Sequence, residues 1–169
     1  MTHHHMNDDE ARIKVRELIE SIRTVMLVTA DADGDLLSRP MRVLTVEDDT
    51  VWFFTEVNSP KAFEIEQDHD VLLACANPSG QDYVSVRGKA RMVRDVAKQK
   101  ELWTEAARPW FPDGSESPNL ALIAMKIIGA EYWDSTSSSA LFAYGYVKAL
   151  VTKTPAEGGD NAKVRFGTV

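Results

Sequence analysis

Between residues 38 and 61, three short runs carry groups that could hold a terminal phosphate: Ser38-Arg39-Pro40-Met41, Phe53-Phe54-Thr55 and Ser59-Pro60-Lys61. Ser59 can cap a helix and Pro60 fits its first position, so a helix is expected to open there. A helix N-terminus presents unpaired N–H groups and the positive end of the helix dipole, and both attract anions. Ser59 adds a hydroxyl, while Lys61 and Arg39 add positive charge. The plainer alternative is an ordinary helix cap flanked by two solvated cations. Pro40 favours a ligand: it has no N–H to give to a ladder, so a strand tolerates it only at an edge or a bulge. A ligand edge lying beside that strand would account for it.

Other chemistries find little footing. Histidine occurs in the run His3-His4-His5 and at His69, with no HExxH, so no metal centre is expected. GxSxG, P-loop lysine and GxGxxG patterns are absent. The single cysteine, Cys75, lies in an apolar run without a neighbouring His or Lys and reads as a buried, inert thiol. Nineteen Lys and Arg against 26 Asp and Glu give a formal charge of −7, which opposes attraction to nucleic acid or an anionic membrane. No run approaches the roughly 20 apolar residues of a membrane span, and the polar start MTHHHMNDDE does not read as a secretory leader. With one cysteine, the expected location is the cytoplasm.

The 169 residues fit one domain, and 44% hydrophobic with 27% charged residues is an ordinary globular composition. Val15, Leu18, Ile19 and Ile22 share one helical face, which predicts a helix over 9–23. Residues 25–30 and 36–46 read as strands joined by Asp31-Ala32-Asp33-Gly34-Asp35, and 51–55 as a third strand. The helix opened by Ser59 should run to about Asp68. Residues 71–77 and 83–93 form a second expected hairpin, with Gly88 marking a bulge or close approach in mid-strand. A helix is expected over 95–107 with Val96, Leu102, Trp103 and Ala106 on its apolar side. The loop from Arg108 to Pro118 carries Trp110 and Phe111, which need burial somewhere. Residues 120–134 read as a long strand or two, and 139–152 as a helix-like run. Residues 1–7 are expected to be disordered and 154–169 to be a flexible tail. Strands without regular strand-helix alternation point to a mainly β fold, a small antiparallel barrel with attached helices.

Taken in order, LLSRPMRV, VWFFTEVNSPKAFEI, YVSVRGKARM, ELWTEAARPWFP and AEYWD resemble the general stress protein branch of the pyridoxamine 5′-phosphate oxidase-like family. The resemblance runs from about Asp8 to Ala149. It implies an FMN-binding, six-stranded antiparallel split barrel with peripheral helices over 8–153, usually a homodimer with flavin at the subunit interface. Carried over by motif, Arg39, Pro40 and Met41 would line the isoalloxazine and ribityl side, largely through backbone groups. Phe54 and Thr55 would flank the ring and ribityl chain, and Ser59 and Lys61 would hold the phosphate. Trp110 and Phe111 would come from the other subunit to cover the flavin, the alternative being a dimer contact without flavin. Trp103 reads as core or interface, and Trp133 as a core tryptophan at a strand end, the alternative being that it closes the pocket.

The implied activity is flavin-dependent electron exchange with a reduced nicotinamide or another small redox partner, using FMN, with FAD as the alternative. Non-catalytic flavin storage or sensing, and a cofactor-free interaction dimer on the same fold, are the rival expectations. The chain ends VKALVTKTPAEGGDNAKVRFGTV, with Arg165 but no histidine, where the oxidases of the family carry an arginine- and histidine-containing substrate segment. That departure argues against vitamin B6 oxidation.

Overall fold

The computed structural model describes residues 8–134 and 160–166. Helix α1 (Asp8–Ile22) opens on Asp8, Asp9 and Glu10, acids that suit the positive end of its dipole, and buries Ala11, Val15, Leu18 and Ile19. Strands β1 (Thr24–Ala30) and β2 (Leu36–Arg42) form the expected hairpin. Its turn is held by Asp31, whose Oδ1 accepts from the N–H of Asp33 and of Asp35 at 2.9 Å each, and by Gly34 at φ +85°. The strand expected over 36–46 is broken. After β2 the chain resumes as β3 (Thr45–Glu47), which pairs with β4 (Thr50–Glu56) through a turn with Asp48 and Asp49 both at positive φ. Two such residues suit the twist of a tight hairpin.

Helix α2 (Pro60–Gln67) is followed by the hairpin of β5 (Asp70–Asn77) and β6 (Asp82–Val93). Helix α3 is shorter than expected. It covers Val96–Leu102, capped by the Asp95 carboxylate accepting from the Lys98 N–H at 3.1 Å, and Trp103 then turns extended before a 3₁₀ turn at Glu105–Ala107. The apolar side expected for it is met only in part: Leu102 and Trp103 are half-buried, whereas Val96 and Ala106 are exposed and the buried residue of the helix is Gln99, whose amide donates to the Ser115 carbonyl at 3.0 Å. The long strand β7 (Leu120–Asp134) follows. Within the stretch expected as a flexible tail, Asp160–Arg165 form β8, with Val164 and Phe166 buried. The helix-like run over 139–152 lies outside the described residues.

The strands among the described residues join one antiparallel sheet of eight, ordered β2-β1-β5-β6-β7-β4-β3, with β8 also on β7. The two additional strands relative to the six expected include β8 and the short β3. β7 is long enough to serve two partners on one edge. β4 pairs with residues 120–126 and β8 with residues 129–134. Along its other edge lies β6, whose register shifts between Arg87 and Gly88. A side chain at Gly88 would collide with the Lys126 carbonyl, which is why that position is glycine.

Met41 of the end strand β2 and Phe53 of β4, next to the other end, join one core with Leu27, Leu73, Val86, Ile123 and the apolar face of α1. The sheet is therefore curled around its core but open, because β2 and β4 touch without pairing. Each fully buried Leu, Ile or Phe contributes on the order of 1.5–3 kcal/mol to holding that curl. Among the described residues, no helix is long and apolar enough to cross a membrane.

Candidate functional site

The end of β2 (Pro40, Met41, Arg42), the end of β4 (Phe54, Thr55, Glu56) and Lys61 of α2 enclose a cavity of about 560 Å³. That volume lies in the roughly 300–1,000 Å³ range of small-molecule and cofactor sites. The segment after α3 forms a further wall through Thr104, Ala107, Trp110 and Phe111. Of the nine residues anticipated, all but Arg39 and Ser59 line this space.

Pro40 lies on β2 opposite Met26, and β2 is the end strand of the sheet, so its missing N–H leaves no ladder bond unmade on the open side. Strand alternation then separates the side chains of β2. Met41 and Arg39 share the inward face, whereas Pro40 and Arg42 share the other. Arg39 reaches to Glu64 of α2, its Nη2 donating to Oε2 at 2.8 Å, and its Nη1 donates to the Thr29 hydroxyl. Thr29 in turn donates to the same Glu64 oxygen. Glu64 is 7% exposed, and a carboxylate so placed needs its charge matched. Arg39 is thus a tie between β2 and α2 rather than a wall of the cavity.

Ser59 also differs from its expected part. It occupies the N-cap of α2 in extended geometry, yet its hydroxyl makes no cap bond. Instead Oγ donates to the Glu56 carbonyl at 2.9 Å and lies 3.2 Å from the Thr55 hydroxyl, behind the cavity wall. Ser59 therefore braces Thr55. The helix start still offers a donor. Pro60 has no N–H, and those of Ala62 and Phe63 point to the Ser59 carbonyl, which leaves the Lys61 N–H without a partner among the described residues.

The Lys61 side chain is half-buried and makes no ion pair with any described residue. Desolvation lowers its pKa below the ordinary 10.5; Glu56 opposes that shift, Arg39 adds to it and Glu64 opposes it. A cation held partly out of water and not ion-paired with a described residue gains on receiving an anion.

The aromatic wall is built within one chain. Phe54 meets Phe111 edge-on at 6.2 Å between ring centroids and Trp103 at 5.8 Å. The N–H groups of Trp110 and Phe111 both donate to the Ala107 carbonyl at 3.1 Å, a turn that folds this loop back onto its own β4. Phe111 is 7% exposed, so its burial does not need another subunit, whereas Trp110 is 70% exposed at the cavity mouth. Trp103 is fixed by its indole N–H donating to Glu105 Oε1 at 3.1 Å. Glu105 itself is held at about 2, mainly by its hydrogen bond from Arg108 and then by that from Trp103. Trp133 is exposed and lies away from the cavity.

Arg42 and Glu56 also line the cavity without having been singled out from sequence. The signal for Arg42 was available, since it lies two residues beyond Pro40 on the same strand face. A slot with an aromatic wall, a partly desolvated cation and a free helix N–H at one end can accept a flat ring carrying a phosphate. Among the described residues, no group of three or more His, Cys, Asp or Glu could hold a metal ion.

Over residues 10–157 the sequence matches the family described as "Pyridoxamine 5′-phosphate oxidase like". General stress protein 26 of Bacillus subtilis is 27% identical over 124 residues, covering 72% of this chain and 86% of that one. The crystal structure of the general stress FMN/FAD binding protein from Xanthomonas citri superposes with a TM-score of 0.65 at 30% identity, covering 77% of this chain and 92% of that one. A protein from Jannaschia sp. CCS1 superposes with a TM-score of 0.77 over 94% of this chain and 99% of its own, at 22% identity, a likeness of fold alone.

Proposed function

This chain belongs to the pyridoxamine 5′-phosphate oxidase-like family, and from that premise we propose that its cavity binds a flavin, FMN with FAD as the alternative, and that the protein is a stress-related flavin-dependent oxidoreductase of the cytoplasm. The observation that carries the proposal is Lys61, a half-buried cation that makes no ion pair with any described residue, at the end of an aromatic-walled slot. The lysine ammonium and its own N–H would hold the phosphate. Phe54 and Phe111 would bound the ring, and the edge of β2 at Pro40 and Met41 would run beside it. When bound, the flavin supplies the electron chemistry, while the protein orients it, excludes water from one face and balances its charge.

A homodimer is the proposed assembly. The outer face of β1, β5, β6 and β7 exposes Met26, Leu72, Tyr83 and Trp133, and Tyr83 stands opposite Trp133 in the ladder. Large apolar side chains gathered on one sheet face mark an interaction surface. A second reading, storage or sensing of flavin without turnover, is favoured by one feature of the lining. Among the described residues of the lining, Arg42, Glu56 and Lys61 are the charged members, and no described His, Cys or Tyr stands with them to move a proton near neutral pH.

The test is a visible absorption spectrum of the purified protein after incubation with FMN or FAD and desalting, with the released chromophore identified by chromatography. Retained flavin is the expected result. A protein that stays colourless with both overturns the proposal and favours an interaction dimer. Oxidation of NADH or NADPH by the loaded protein then separates the oxidoreductase from the storage reading.

A further inference from the structure

We infer that Arg108 is a positioning residue: it clips residues 103–112 into one rigid wall and so holds that wall closed against a bound flavin; this rests on the flavin proposal above. Thr104, Ala107, Trp110 and Phe111 line the cavity, whereas Trp103, Glu105 and Arg108 do not. The hydrogen bonds of residues 104–112 stay among residues 103–114. Among the described residues, no hydrogen bond or ion pair from this wall reaches the sheet. What joins it to β4 is ring contact, that of Trp103 and Phe111 with Phe54. Such contacts press a surface against its partner without fixing the shape of the loop that carries it.

Arg108 supplies that shape. Its Nε and Nη2 donate to the two carboxylate oxygens of Glu105 at 2.5 and 2.9 Å, and its Nη1 donates to the Pro112 carbonyl at 3.2 Å. The same guanidinium lies 5.9 Å from the centroid of the Trp103 ring, whose indole N–H also ends on Glu105. Backbone bonds to the Ala107 carbonyl close the middle of the segment, while this one side chain reaches both of its ends, Trp103 and Pro112. A flat, forked guanidinium can make all these contacts at once. Glu105, held at about 2, stays charged at neutral pH, so the clip keeps both its charges there. Both partners are exposed, so a substitution here leaves the core intact and its effect is modest.

The probes are FMN and riboflavin, which share a ring and differ by a phosphate. Release of each from the loaded protein is followed by the recovery of flavin fluorescence on dilution. The wild type is compared with Arg108→Ala, Glu105→Ala, their double variant, and Lys89→Ala, which breaks an exposed ion pair with Asp70 outside the cavity. The expected result is that Arg108→Ala and Glu105→Ala each speed the release of both flavins about fivefold, and that the double variant falls well short of the product of the two, because both break one clip. Lys89→Ala changes neither rate. Riboflavin is uncharged at neutral pH, so added salt should speed its release from the wild type by screening the clip, and should leave its release from Arg108→Ala unchanged. Three results overturn the inference while leaving the flavin proposal standing: riboflavin release unchanged in Arg108→Ala, a faster release confined to FMN, which would make Arg108 a phosphate contact, or effects that simply multiply in the double variant. Failure of the wild type to retain either flavin removes both.

Discussion

Two charged positions one turn apart on α2 fare in opposite ways. Glu64 is buried, and it is matched by Arg39 and by the Thr29 hydroxyl, so β1, β2 and α2 are tied at one oxygen. Lys61, which lines the cavity, is half-buried and makes no ion pair with any described residue. The contrast separates scaffold from site. A polar group that the fold has already satisfied holds elements in place, whereas one that it desolvates and leaves open is available to a ligand. Arg39 and Lys61 are alike in charge and close in space, yet only the second is free to bind an anion.

The largest effect should come from breaking the matched side. Glu64→Ala leaves Arg39 without its carboxylate, and is expected to lower unfolding stability by about 3 kcal/mol, the low end for a buried pair because Arg39 is partly exposed. Denaturant unfolding measures it. The double variant Glu64→Ala with Arg39→Met should recover part of that loss. A single-variant loss below about 0.5 kcal/mol, as for a surface pair, would erase the distinction between the two positions.

A smaller effect concerns pH and the open side. Because burial lowers the Lys61 pKa in the folded protein, its protonated form is penalised on folding. That cost is present at neutral pH and is relieved as pH rises through the lowered value toward 10.5. FMN affinity should run the other way, falling as Lys61 loses its proton at a pH below 10.5. Fluorescence titrations at several pH values would show this fall in the wild type and none in Lys61→Met. A fall of equal size in the variant would assign the titration elsewhere.

The smallest effect is a predicted silence in the core. Desolvation pushes the Cys75 thiol up to about 12, so the native protein should resist alkylation at pH 8 and react only when denaturant opens it. Prompt reaction of the native protein would show that this wall of the barrel opens readily.

Local signals made much of this fold legible. Helix α1 followed from the spacing of Val15, Leu18 and Ile19, the β1–β2 turn from Asp31 and Gly34, and the register shift on β6 from Gly88. Pro40 was read correctly as an edge residue for the same reason: its lost N–H acts where it stands. What escaped depended on distant partners. Nothing near Arg39 announces that Glu64, 25 residues later, will claim it. The Ser59 hydroxyl looked like a helix cap because no local rule shows Thr55 and the Glu56 carbonyl turned toward it. Strand β8 was hidden in a polar stretch because its pairing depends on an edge of β7 that β4 leaves open beyond residue 126. For Phe111, the need for burial was clear from sequence, but its partner is Phe54 of the same chain.

The central claim, that Lys61 receives the phosphate of a flavin held in this cavity, is tested most directly by a two-by-two comparison. Dissociation constants for FMN and riboflavin are measured on the wild type and on Lys61→Ala. The account predicts that FMN binds the wild type at least tenfold more tightly than riboflavin does, a charge-assisted contact of about 1.5–3 kcal/mol, and that the variant holds the two almost equally. If Lys61→Ala leaves the preference for FMN intact, or weakens riboflavin as much as FMN, the phosphate lies elsewhere.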